Sequence, residues 1–116
     1  MSALKQIKKI LEESVSLKKG LIKQASCIND IATTMISTLK KEGKIIVFGN
    51  GGSAADSQHM VAELVGRFNR EKKPLPAIAL PADTSILTAI SNDYGYEYSF
   101  SKQIEAYGRK GDIAFA

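Results

Sequence analysis

The chain has 116 residues, 44% of them hydrophobic and 24% charged, which excludes a disordered, collagen-like or low-complexity protein and suits one domain. Its formal net charge is +4, but the basic residues come as scattered pairs, such as Lys8-Lys9 and Lys72-Lys73, without interleaved stacking aromatics. A solvated surface is therefore expected rather than a nucleic-acid partner.

No apolar run of membrane-spanning length and no signal-type core occurs, and a single cysteine, Cys27, forbids an internal disulfide. A cytoplasmic protein without a membrane partner is expected. With His59 as the only histidine, a metal site built from Cys and His alone cannot form within one copy of the chain.

The first forty residues predict two amphipathic helices. Leu4, Ile7, Leu11 and Val15 share one face, with Ile10 beside them; Gly20 is the expected break. Ile28, Ile31, Ala32, Met35 and Leu39 repeat the stripe up to Gly43, a stop signal. Two such helices with no strand before them pack on their own subunit or form a bundle with another chain.

From residue 44 the pattern changes. Lys44 to Phe48 is a β-branched apolar run that suits a buried parallel strand, followed by the tight loop Gly49 to Ser53. Residues 54–68 predict a helix with Val61, Leu64, Val65 and Phe68 inward. Ala77 to Leu80 reads as a second strand closed by Pro81. Residues 84–91 read as a short helix with Ile86, Leu87 and Ile90 inward, and residues 96–107 as another carrying Phe100, Ile104 and Tyr107. Asp112 to Ala116 starts a third strand. This alternation predicts an α/β parallel sheet with right-handed crossovers. A sheet ending on an apolar strand is a poor stopping place, so the chain is expected to be truncated in that strand.

Three clusters carry chemistry. The first is Phe48-Gly49-Asn50-Gly51-Gly52-Ser53, where a strand feeds a glycine-rich turn that opens a helix. Free N–H groups and the helix dipole favour an anion there, and Ser53 is expected to cap the helix and offer its hydroxyl to a phosphate oxygen. The turn matches neither the dinucleotide nor the P-loop pattern, and a capped turn without ligand is the plain alternative. The second is the i, i+4, i+8 row of His59, Glu63 and Arg67, which reads as an acid/base or metal-ligand face, or as an exposed ion-pair ladder. His59 and Glu63 have zinc-ligand spacing but supply only half a site. The third is Asp83-Thr84-Ser85 with Ser91 to Gly95, near the sheet edge where α/β proteins bind ligands. Asn92 and Asp93 are candidates for sugar hydroxyls; helix capping is the alternative.

These residues together resemble the phosphoheptose isomerase family of the sugar isomerase (SIS) superfamily. The resemblance rests on Phe48 to Ser53, Gln58 to Phe68, Pro76 to Leu80, Ser91 to Gly95 and Gly108 to Asp112. It implies a flavodoxin-like sheet flanked by helices. Residues 1–116 would be part of a single SIS domain, with a helical pair over 1–42 and a β-α-β-α-α-β core over 44–116. It also implies a homotetramer and conversion of sedoheptulose 7-phosphate to D-glycero-D-manno-heptose 7-phosphate, a precursor of bacterial surface glycans.

Position by position, Asn50, Gly51, Gly52 and Ser53 match the substrate-binding turn. His59 and Glu63 match two zinc ligands, and Glu63 also matches the catalytic base. Arg67, Asn92 and Asp93 match substrate contacts. The family's serine-rich phosphate loop and its later Gln and His have no counterpart in these residues, so the 116-residue chain is expected to be inactive alone. If Glu63 serves both metal and proton, it must switch coordination, or the metal is dispensable. The second functional reading is a non-enzymatic SIS-domain regulator that binds the bacterial replication initiator; an acidic residue at position 63 favours the enzyme.

Overall fold

The structure, a computed structural model, describes residues 2–116. It divides into two compact units, one running up to Thr34 and the other from Met35 to Ala116.

The first unit is helical. Helix α1 spans Ala3–Leu21, capped by the Ser2 side chain, which accepts the Lys5 N–H. Gly20 lies inside α1, not at a break. The backbone stays in the right-handed helical region through a single 3₁₀ turn, Ile22–Gln24, and continues into α2, Ala25–Lys40. One glycine costs a helix about 1 kcal/mol, which a long run of intact i→i−4 bonds absorbs. In this unit Leu4, Ile7, Leu11, Val15, Ile28 and Ile31 are all exposed.

The second unit is built on three parallel strands, β1 (Ile45–Val47), β2 (Ala77–Ala79) and β3 (Ile113–Phe115), in the order β2-β1-β3. Ile46 pairs with Ile78 on one side and with Ala114 on the other. β1 is central, and Ile45, Ile46 and Val47 are buried together with Leu80, as expected for a strand covered on both faces. Helix α3 (Gly52–Val65) joins β1 to β2. Helices α4 (Thr84–Asp93) and α5 (Ser101–Tyr107) lie between β2 and β3. Because β2 and β3 flank β1 on opposite sides, right-handed crossovers place these two connections on opposite faces of the sheet. The strand order reverses at β1, so the crevice for a ligand lies at its C-terminal end.

Three predicted boundaries shift besides the end of α4, which runs to Asp93 rather than stopping at Ser91. The second strand stops at Ala79, and Leu80–Ala82 winds into a 3₁₀ turn holding Pro81. The helix predicted over 96–107 splits into a 3₁₀ turn, Tyr96–Tyr98, and α5. Its buried Gln103 bridges the gap, with Nε2 donating to the carbonyls of Leu80 (3.1 Å) and Ser99 (2.9 Å). The third shift concerns α3 and is described with the site.

At the opposite edge of the sheet, Asp112 ties β3 to β1. Its carboxylate pairs with the Lys44 ammonium and accepts the N–H groups of Lys44 (2.9 Å) and Arg109 (2.8 Å). The Lys44 side chain, opposed by partial desolvation, holds its pKa down at about 2 from the ordinary 3.8. A depressed carboxylate pKa adds stability above the unfolded value that is lost as pH falls through the folded one. Asp112→Asn is therefore expected to destabilise the fold by roughly 1–3 kcal/mol at neutral pH, the range for buried hydrogen bonds to a charge. It should also flatten the loss of stability between pH 4 and pH 2; urea titrations across that window check both.

Candidate active site

The crevice begins where β1 ends. Asn50-Gly51-Gly52-Ser53 is a tight turn: the Ser53 N–H donates to the Asn50 carbonyl at 3.0 Å, and Gly51 has φ 59° and ψ −121°. These are the angles of the first central residue of a type II′ turn, a conformation reserved for glycine. Gly51 is also the N-cap of α3, and among the described residues no side chain caps the helix. The predicted cap by Ser53 is thus wrong: Ser53 lies inside the first turn, with its own carbonyl taken by the Ser57 hydroxyl at 2.7 Å. Among the described residues, the N–H groups of Gly51 and Gly52 take no backbone acceptor. An exposed turn with two free N–H donors at a helix N-terminus suits an anionic or polyol oxygen. Gly51→Ala is expected to destabilise the protein by about 1–3 kcal/mol, because an L-residue is strained there. A fall in thermal midpoint together with weakened sugar-phosphate binding checks this.

Two turns along α3, His59 Nε2 stands 3.2 Å from Glu63 Oε1. The i, i+4 spacing brings them onto one face. The His59 side chain is 76% exposed and that of Glu63 35%, so both are reachable. Among the described residues Glu63 Oε2 takes no hydrogen bond. An imidazole and a carboxylate this close suit zinc as two of its ligands. No group of three or more His, Cys, Asp or Glu able to hold a metal occurs among the described residues.

Arg67 does not extend this row. Helix α3 ends at Val65, where the Gly66 N–H closes on the Ala62 carbonyl at 2.8 Å. The freed carbonyls are captured from further along the chain: Leu64 by the Leu75 N–H (3.1 Å) and Gly66 by the Lys72 ammonium (2.7 Å). Arg67 lies past this end and pairs with the exposed Glu71. Val65 and Phe68, predicted inward, are exposed.

Asn92 and Asp93 occupy the last turn of α4, exposed, with the Asn92 amide donating to Asp93 at 3.2 Å. Asp83 takes the capping role, accepting the Ile86 N–H at 2.9 Å. The segment after Asp93 reaches the crevice through a residue that the sequence pattern does not single out: the Tyr96 hydroxyl donates to Asn50 Oδ1. The only sequence cue is the left-handed Gly95 preceding it.

Known proteins share this sequence pattern and fold. The SIS domain family matches residues 5–116. The phosphoheptose isomerase of Aquifex aeolicus is 53% identical over 112 residues, covering 96% of this chain and 59% of its own length. That of Roseiflexus sp. is 56% identical over 104 residues, covering 89% of this chain and 53% of its own. Among solved structures, the phosphoheptose isomerase of Neisseria gonorrhoeae superposes with a TM-score of 0.90 at 41% identity, over 97% of this chain and 59% of that one. The chain thus spans between half and three-fifths of the length of these relatives. A parallel sheet in the order β2-β1-β3, opened by a glycine turn at its switch point and matched over nearly its whole length, belongs to the SIS domain family.

Proposed function

We propose that the protein carrying this chain is a phosphoheptose isomerase, interconverting sedoheptulose 7-phosphate and D-glycero-D-manno-heptose 7-phosphate. The observation that carries this reading is the His59–Glu63 pair on the helix that opens at the glycine turn, in a chain 53% identical to a phosphoheptose isomerase. Aldose–ketose isomerisation moves a proton between C1 and C2 through a cis-enediolate, and one carboxylate can take it and return it. Glu63 Oε2 is free for that task while Oε1 faces His59. Asn50, the turn N–H groups and the Ser53 hydroxyl hold substrate oxygens, with Asn92, Asp93 and Arg67 assigned as further contacts.

Zinc belongs to the proposal: His59 and Glu63 would supply two ligands, and the rest would come from elsewhere in the protein or its assembly. When bound, the metal polarises the substrate oxygen and stabilises developing negative charge. A homotetramer built through the apolar faces of α1 and α2, in the cytoplasm, completes the reading. It is supported by the exposed stripe on those helices and by the free thiol of Cys27; no described helix is long and apolar enough to cross a membrane. The test is turnover of sedoheptulose 7-phosphate by the purified protein. Binding of the sugar phosphate without turnover would favour a non-catalytic regulator instead.

A further inference from the structure

Asn50 stands in the turn between β1 and α3, and its carboxamide has two unlike ends: Oδ1 accepts hydrogen bonds and Nδ2 offers two N–H donors. Which end faces a ligand depends on what holds the other. Here the Tyr96 hydroxyl holds Oδ1, and among the described residues nothing holds Nδ2.

The fold builds this contact from three directions. Gly95 leaves α4 with φ 113° and ψ 149°, a backbone open essentially to glycine alone, and its N–H closes on the carbonyls of Ile90 and Ser91, both at 3.2 Å. A Cβ at that position would lie 2.7 Å from the Glu97 carboxylate. Phe48, the first residue past β1, packs against Phe100 with ring centroids 5.2 Å apart, which braces the segment carrying Tyr96 against the end of the strand. The Ser91 and Ser99 hydroxyls, 3.3 Å apart, close the same segment onto α4. Tyr96 itself remains 56% exposed, so little ring burial accompanies the contact and its hydroxyl is the part the arrangement uses.

We propose that Tyr96 is a positioning residue: by donating to Oδ1 its hydroxyl holds the Asn50 carboxamide in place with both Nδ2 N–H groups free for hydroxyl or oxyanion oxygens of the sugar phosphate. The proposal rests on the reading of this turn as the sugar-phosphate site. Without the phenol the amide turns freely, and half of its orientations present an acceptor to an acceptor.

The test uses Tyr96→Phe, Asn50→Ala and the double variant. In ¹⁵N-asparagine-labelled protein without ligand, Tyr96→Phe should shift the Asn50 side-chain amide pair, assigned by its disappearance in Asn50→Ala. With sedoheptulose 7-phosphate as probe, Tyr96→Phe should raise KM roughly 2- to 10-fold, the range for one hydrogen bond, with the loss falling on KM more than on kcat. In the Asn50→Ala background it should add nothing. A merely structural Tyr96 would weaken binding additively in both backgrounds, and that result, or an unmoved Asn50 amide pair, overturns the proposal. If the wild-type protein does not turn over the sugar phosphate, the functional reading fails while the ligand-free amide spectrum still decides for or against the Tyr96–Asn50 link.

Discussion

Glu63→Gln is expected to lower turnover of sedoheptulose 7-phosphate by about 10²–10⁴-fold, the usual contribution of a general base. Glutamine keeps the shape and the hydrogen-bonding reach of glutamate but cannot accept a proton from carbon. The substitution falls on a half-buried face of α3 where, among the described residues, the only side-chain partner is His59, 3.2 Å away, and an amide oxygen serves that contact as well. The fold should therefore survive, and circular dichroism and thermal midpoint should stay near the wild-type values. Substrate affinity should change far less than kcat, because the lost interaction is one made in the transition state. Near-normal turnover would remove Glu63 from the proton transfer and return the His59–Glu63 pair to an exposed ion pair, worth at most about 1 kcal/mol to the fold.

The second large effect is expected in the assembly. Ile7 and Leu11 sit on the apolar stripe of α1, each more than half exposed. A stripe of this length rarely stays in water. Burying one such side chain between subunits stabilises the assembly by roughly 1.5–3 kcal/mol. Replacing both by aspartate reverses that gain and adds charge to the interface, so the dissociation constant should rise by at least about 10²-fold. Multi-angle light scattering at micromolar concentration should show a multimer for the wild-type protein and the monomer mass for Ile7→Asp/Leu11→Asp. The β-sheet unit should keep its far-ultraviolet spectrum, because its core of Ile45, Ile46, Val47 and Leu80 includes no residue of that stripe. A monomeric wild-type protein contradicts the oligomer outright.

The strands are legible in the sequence because each is a short apolar run between turn residues, and because Ile45 to Val47 needs no polar face once it is central. The glycine turn is legible for the same local reason. What escapes is whatever depends on partners distant in sequence. Helical spacing carries α3 on to Phe68, yet the helix ends at Val65, because its last carbonyls are taken by Leu75 and Lys72 from beyond the turn. Arg67 therefore leaves a row that spacing alone puts it in. Ser53 fits the composition of a cap, but the left-handed Gly51 lets the helix start two residues earlier and, among the described residues, leaves the serine hydroxyl free. The Tyr96–Asn50 contact joins residues 46 apart, which no periodicity can reveal. Asp83 and the Asn92–Asp93 pair look alike on paper; only the structure separates a cap from two exposed side chains at a helix end.

The most direct measurement of the central claim is proton NMR of sedoheptulose 7-phosphate incubated in D₂O with the purified whole protein that carries this chain. An enediolate route predicts the appearance of the aldose anomeric signal, with deuterium entering C2 of the aldose and C1 of the recovered ketose. Both should be absent with Glu63→Gln. A ketose that is bound but returned without deuterium and without aldose would contradict the account.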